Sequence, residues 1–341
     1  MMHLGLKLAY DGNRLPEVVA LAEHADRVGF DSVWTAEAYG ADAVTVLAFL
    51  AGQTERIALG SGIMQMPART PANAAMTAMT IDALSGGRFL LGLGASGPQV
   101  VEGWHGVAYG RPLQRTREYV AVVRQVLARG APVTFSGSHY QVPYAGPDAT
   151  GLGKPLRTTM HPVRSRIPIF LAAIGPKNVA LAAEIADGWL PTFCNPEQPA
   201  VLEESVATGL ALSGRSRAEF TVLPTAYVRV GDDLEECRDA LRPYFALYIG
   251  GMGARGRNFY FDLVCRYGFE EIAHKVQDLY LSGHQRDATA LIPAAMIDAM
   301  CLAGPIERIA DRLGAWKASG IDGLLLRSEQ PEYFEALRGL A

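Results

Sequence analysis

The chain has 341 residues, 49% of them hydrophobic and 19% charged, with a formal net charge of -4, so it is long enough to bury a large core as one α/β unit or two smaller ones. That charge balance excludes non-specific nucleic-acid binding, which needs a global positive field to gather phosphates. Cys194, Cys237, Cys265 and Cys301 form no CxxC pair, the longest apolar run (near Ala43 to Gly52) is too short for a bilayer, and the first residues show no signal-peptide pattern; together these predict a cytoplasmic protein with neither a disulfide or metal framework nor a membrane partner.

Strand and helix signals alternate almost from end to end. Strands are predicted at Leu4 to Tyr10, Ser32 to Glu37, Ile57 to Met66, Arg88 to Ala95, Ile167 to Ile174, Gly188 to Pro191, Thr221 to Val230 and Gly323 to Arg327. Helical periodicity fills the spaces between them, as at Pro16 to Val28, Asp42 to Gln53, Thr70 to Leu84 and Pro305 to Ala318. One junction recurs: DRVGFDSVW (Asp26 to Trp34), EIADGWLP (Glu184 to Pro191) and KASGIDGLLL (Lys317 to Leu326). In each, a helix ends, a glycine or aspartate turns the chain, and an apolar strand begins. The pattern predicts a single α/β domain over 1–341, a TIM-type (β/α)8 barrel; alternation alone does not show closure, so an open sheet of similar strand count is the alternative. Two stretches exceed the repeat and are placed at the barrel rim. One is a hairpin at Thr134 to Val142 within 134–166, and the other is a glycine-punctuated, aromatic insertion at 250–293.

Protein-borne chemistry is sparse. The seven histidines form no metal-binding spacing, and there is no GxSxG elbow or P-loop. The carboxylate pairs Glu203 with Glu204, Asp232 with Asp233 and Glu270 with Glu271 read as solvated charge. An enzyme so equipped needs an organic cofactor, and three strand ends offer a place for one. After the third strand, IALGSGIMQMPARTP carries Gly60 and Gly62, which mark a bulge or the close approach of another group. After the fourth, RFLLGLGASGPQVVEGWHG (Arg88 to Gly106) runs from strand through glycines into a Ser-Gly-Pro turn, where Pro98 suits the first turn of a helix. Its GxGxxG spelling is not a dinucleotide fingerprint, because three strands precede it and the region around Glu118 reads as helix. After the fifth, FLAAIGPKN makes a second Gly-Pro turn. From Ala149 to Ala183 the chain holds Lys154, Arg157, Arg164, Arg166 and Lys177 without one carboxylate, which predicts attraction for an anionic ligand.

The order WTAEAYG, GSGIMQMPARTPANAAMTAMTIDALSGGRFLLGLGASGP, VVEGWHG and FLAAIGPKNVALAAEIADGWLP resembles the bacterial-luciferase-like flavin and deazaflavin oxidoreductases. Within them it is most similar to the branch that uses coenzyme F420, which includes methylenetetrahydromethanopterin reductase. The resemblance covers almost the whole chain and is weakest over 250–293. It implies a homodimeric enzyme acting on a small-molecule substrate, with a deazaflavin in the barrel mouth. A non-prolyl cis bond is implied between Gly62 and Ile63, with Ile63 supporting one ring face. Ser96 and Gly97 are implied to contact the cofactor, and Ala173, Ile174, Gly175 and Pro176 to cradle its phosphate-bearing tail. The same mapping places Glu37, Ser61, Gly62, Gly94, Pro98 and Lys177 in the cofactor site.

Two departures from the family argue against sugar-phosphate oxidation. Ala38 stands where such dehydrogenases carry a histidine, and the Ser-Gly-Pro turn stands where they carry a glutamate. Hydride transfer between reduced F420 and a carbonyl, imine or activated double bond is expected instead, with Glu37, Tyr39 and His105 as candidate proton donors. The alternatives are an FMN-dependent monooxygenase of the same fold and a barrel that binds its cofactor without catalysis.

Overall fold

The computed structural model describes residues 2–9 and 13–341. Its eight principal strands are β1 (His3–Lys7), β2 (Ser32–Thr35), β3 (Ala58–Ser61), β4 (Phe89–Gly94), β5 (Ile169–Leu171), β6 (Gly188–Trp189), β7 (Thr221–Val222 continued by Thr225–Val230) and β8 (Gly323–Arg327). All pair in parallel with their neighbours in chain order. The ring closes through β7, whose first half pairs with β6 (Thr221 with Gly188) and whose second half pairs with β8 (Thr225 with Leu325). Finally β8 pairs with β1 from His3 with Gly323 to Leu6 with Leu326. The barrel is therefore closed, and the open-sheet alternative falls. Each predicted strand overlaps an observed one, though β1 begins one residue earlier, at His3; Tyr10, the predicted end of the first, lies outside the described residues.

Alternation along β1 shows how the sequence builds two cores. Leu4 and Leu6 are buried toward the helices, while His3, Gly5 and Lys7 alternate with them and face the axis. A Cβ on Gly5 would stand 2.5 Å from the side chains of Leu325 and Ser32. The outer core lies between strands and helices; a separate inner cluster of Trp34, Phe170, Leu190, Leu223 and Leu325 plugs the barrel, with Ile63 and Leu90 packed on it. Trp34 dictates Gly60, since a Cβ there would lie 2.2 Å from its ring. Close approach was the right reading of that glycine, but the approaching group is this indole and not a ligand.

The recurring junction has a structural reason. Its aspartate precedes one strand and accepts a hydrogen bond from the backbone N–H of the strand before. Asp31 accepts from Leu4 (2.8 Å), Asp187 from Ile169 (2.8 Å) and Asp322 from Val222 (2.7 Å). Three equivalent bonds thus tie adjacent strands at the end of the barrel opposite the mouth. Gly29 and Gly320 turn the chain there with positive φ of 87° and 75°.

The basic stretch is corrected at this same end. Arg164 pairs with Asp82 (2.7 Å) and also donates to the Phe89 carbonyl at the start of β4, while Arg166 pairs with Asp187. Both are neutralised far from the mouth and are not part of an anion-attracting rim.

The hairpin forms as predicted, Phe135–Ser136 against Gln141–Val142. It packs on helix Pro112–Ala128, where Glu118 accepts hydrogen bonds from the backbone N–H groups of Ser138, His139 and Tyr140 at 2.7–3.1 Å and from Gln114. Burial opposes that charge, but Gln114 and these N–H groups outweigh it and hold the carboxyl down to about 2. The insertion over 250–293 is helical, with helices Phe259–Val264, Glu270–Leu281 and Gln285–Ala290. A further strand, Cys301–Gly304, pairs with the outer half of β7. It was not predicted, because helix Ala294–Met300 runs into it with no turn residue between them.

Candidate functional site

The C-terminal ends of the eight strands form the mouth, where parallel barrels place their chemistry. On the β2–β4 side, β3 is interrupted at Gly62 and Ile63, joined by a cis peptide bond, and resumes as Met64–Gln65 paired with Leu93 and Gly94 of β4. Ile63 is half-buried and packs on the inner cluster. Its terminal carbons lie 2.8 Å from where a Gly94 Cβ would stand, so a side chain at position 94 would displace it. Ile63 therefore stands at the mouth with its back to the barrel plug, the orientation a ring support requires.

Beside it runs a closed polar network. Both carboxylate oxygens of Glu37 accept from Arg69 at 2.8 Å, and the Gln65 backbone N–H donates to Glu37 at 2.9 Å. Arg69 also pairs with Asp42. The Gln65 side-chain amide donates to the carbonyls of Glu37 (2.9 Å) and Ala38 (3.0 Å), which leaves its Oε1 to accept from His105 Nε2 at 2.5 Å. The side chains of Arg69 and Glu37 are only 15% and 9% exposed. Both oxygens of Glu37 are thus held by the Arg69 guanidinium, which ties this carboxyl into the rim. His105 has its Nε2 proton committed to Gln65. Tyr39 is 59% exposed, with its ring 6.5 Å from that of the equally exposed Trp104 at the outer edge. The sequence reading missed Arg69 and Gln65, which meet Glu37 from 32 and 28 residues away.

Ser61 lies deeper: its hydroxyl donates to the Gly92 carbonyl (2.8 Å) and accepts from the Gly92 N–H (2.9 Å), fully buried between β3 and β4. Further out, Ser96 adopts a left-handed φ of 60°, and Gly97 precedes a short helix that begins at Pro98 as predicted. A Cβ on Gly97 would meet only the Gln99 side chain, at 3.4 Å. No other neighbour among the described residues lies within 4 Å of that position. Across β5, Ala173, Ile174 and Gly175 lead into helix Pro176–Ile185, with Lys177 exposed in its first turn. Gly175 and Pro176 line a hollow of about 440 Å³ closed by Phe259, Phe261, Cys265 and Arg266 of the insertion. The insertion thus reaches the mouth as expected.

The β7–β8–β1 side differs. Lys7 Nζ lies 3.3 Å from Thr225 Oγ1 across the mouth. Burial, and then Arg327, lower the Lys7 ammonium to about 8. Above it Tyr227 joins an aromatic cluster with Tyr244, Tyr248, Phe193 and Tyr260, and burial raises the Tyr227 and Tyr244 hydroxyls, keeping both protonated. Among the described residues, no group of three or more histidine, cysteine or acidic side chains could hold a metal ion.

Comparison with known proteins gives consistent results. The family model described as luciferase-like monooxygenase matches residues 2–323. A Mycobacterium tuberculosis protein provisionally named a coenzyme F420-dependent oxidoreductase is 46% identical over 99% of both chains. The 5,10-methylenetetrahydromethanopterin reductase of Archaeoglobus fulgidus is 29% identical over 89% of this chain and 86% of its own. Among solved structures, the coenzyme F420-dependent tetrahydromethanopterin reductase from Methanopyrus kandleri superposes with a TM-score of 0.81 at 22% identity, covering 98% of this chain and 97% of that one, which shows a shared fold.

Proposed function

The chain belongs to the luciferase-like monooxygenase family, and on that premise we propose a division of labour across its barrel mouth: cofactor on the β3–β5 side, substrate toward β7, β8 and β1. The activity is that of a coenzyme F420-dependent oxidoreductase. When bound, reduced F420 supplies a hydride to a small organic substrate, a carbonyl, imine or activated double bond. The residues present fit such a group: Ile63 offers a support for one ring face, Gly97 carries no side chain beside the Ser96 turn, and Gly175 with Pro176 opens a hollow large enough for a phosphate-bearing tail.

Each part of the chain then has a task. Arg69, Glu37 and Gln65 fix the β2–β4 rim so that Ile63 keeps its place, and the inner plug beneath it excludes water from the barrel. Ile63 occupies one side of the mouth and leaves the other for substrate. Because the ring closes only when β1 pairs with β8, the chain acts as one catalytic unit.

Phe49, Met76 and Leu84, large apolar side chains exposed on helices Ala43–Gln53 and Pro71–Leu84, support a homodimer. Four unpaired cysteines support a reducing, cytoplasmic setting, and no helix among the described residues is long and apolar enough to cross a membrane.

The observation that carries the proposal is Ile63, turned inward over Gly94 and packed on the barrel plug. Titration of the purified protein with F420 and with FMN tests it. Tighter binding of F420 is expected; equal or tighter binding of FMN would favour the monooxygenase reading instead.

A further inference from the structure

Lys7 is a buried cation that the cofactor site does not use. It faces the axis because Gly5, two residues earlier on the same face of β1, abuts the inward Leu325. An ammonium has three donors, and among the described residues the acceptor for this one is the Thr225 hydroxyl. No carboxylate of the described residues lies within ion-pair distance of it. Its charged neighbour is Arg327, which follows Leu325 on the inward face of β8 and whose charge is answered by Glu329 at 2.7 Å. Glu329 also takes Arg14, at 2.6 Å, so no negative charge there is left over for Lys7. Tyr227, two residues beyond Thr225 on the same strand, is a protonated phenol. A buried ammonium with no counter-ion among the described residues is unfavourable, and at the mouth an incoming anion can supply one.

We propose that Lys7, positioned by Thr225 beside Arg327, is the subsite that receives a carboxylate of the substrate, so that the enzyme's small organic substrate is an anionic one. The word substrate rests on the F420-dependent reading above; the anion subsite itself stands on the geometry alone. Lys7 holds the carboxylate end on the β7–β8–β1 side, and the reducible group of the same molecule then lies toward the Ile63 side, where the cofactor is placed.

The small number of lysines makes a direct test practical. The full chain contains five, Lys7, Lys154, Lys177, Lys275 and Lys317, so lysine-labelled protein gives five side-chain NMR signals, and that of Lys7 is assigned by its loss in Lys7→Arg. In the ligand-free protein the Lys7 signal should titrate near pH 8. Saturating pyruvate should raise that midpoint by about one pH unit, since an adjacent anion favours the ammonium. Acetone, its uncharged counterpart, should leave it in place. Pyruvate should bind at least about tenfold more weakly to Lys7→Met and within about threefold of wild type to Lys7→Arg, which keeps the charge.

The titration is run with and without F420, whose binding is followed by its own fluorescence. A midpoint unmoved by pyruvate in the F420-loaded protein would overturn the proposal. So would a midpoint that F420 alone raises and pyruvate does not raise further, because the subsite would then serve the cofactor. A midpoint that responds to pyruvate in a protein unable to bind F420 would uphold the anion subsite and remove the functional reading above it.

Discussion

Glu37 and Lys7 are charges at the ends of neighbouring strands, β2 and β1, at one mouth, and the protein treats them in opposite ways. Glu37 has a bidentate arginine and a backbone N–H on its two oxygens. Lys7 has one hydroxyl. The first arrangement is complete before any ligand arrives, and its effect is rigidity around Ile63. The second is electrostatically unfinished and is completed from outside. A site that must hold a flat cofactor in one pose and still admit a second molecule has use for both kinds of wall.

The largest expected effect comes from unbalancing the finished side. Arg69→Met leaves Glu37 buried beside Gln65 without its cation, and urea unfolding should show a loss of about 3–5 kcal/mol. Lys7→Met provides the contrast, since removing an unanswered cation should change stability by less than about 1 kcal/mol or raise it. Similar losses in the two variants would erase the distinction between the rims.

A third buried charge, Glu118, lies outside the mouth and is answered like Glu37. Glu118→Gln should cost about 2 kcal/mol at neutral pH through its lost charge-assisted bonds. Its carboxyl is depressed from 4.5 to about 2 in the folded chain. The stabilisation is therefore fully present above about pH 4.5 and is lost as pH falls toward 2, so wild type and variant should converge in stability across that window. Parallel stability curves in acid would contradict the assignment.

Smaller effects sharpen the picture on the cofactor side. Ile63→Ala should cost about 1–2 kcal/mol, below the 2–5 kcal/mol usual for a fully buried isoleucine, while lowering turnover more than that loss explains. Gly97→Val should change stability by less than about 0.5 kcal/mol, because its Cβ makes only an ordinary contact with the flexible Gln99 side chain. A Gly97→Val protein that melts early but binds cofactor normally would make that glycine structural.

How much of this was legible in the sequence depended on the range of the interaction involved. The eight strands were, because short apolar runs between turn signals and helical periodicity are local patterns, and the Ser96 and Gly175 turns were, because glycine followed by proline is a local signal. The rim network was not, since nothing near Glu37 in sequence announces Arg69. The basic run from Lys154 to Lys177 misled for a related reason: the carboxylates that answer Arg164 and Arg166 are Asp82 and Asp187, both outside the window. Lys7 could have been found. In HLGLK the leucines take one face and His3, Gly5 and Lys7 the other, which places a lysine inside any closed barrel. Cys301–Gly304 offered no signal, being four residues entered directly from a helix.

The division of the mouth into a cofactor side and a substrate side is tested most directly by F420 affinity in two variants, measured by fluorescence titration on the folded proteins. Gly97→Val should weaken F420 binding at least about tenfold, roughly 1.4 kcal/mol, while Lys7→Met should leave it within about twofold of wild type. The reverse pattern, with F420 lost from Lys7→Met and retained by Gly97→Val, would place the cofactor on the wrong side of the barrel and contradict the account.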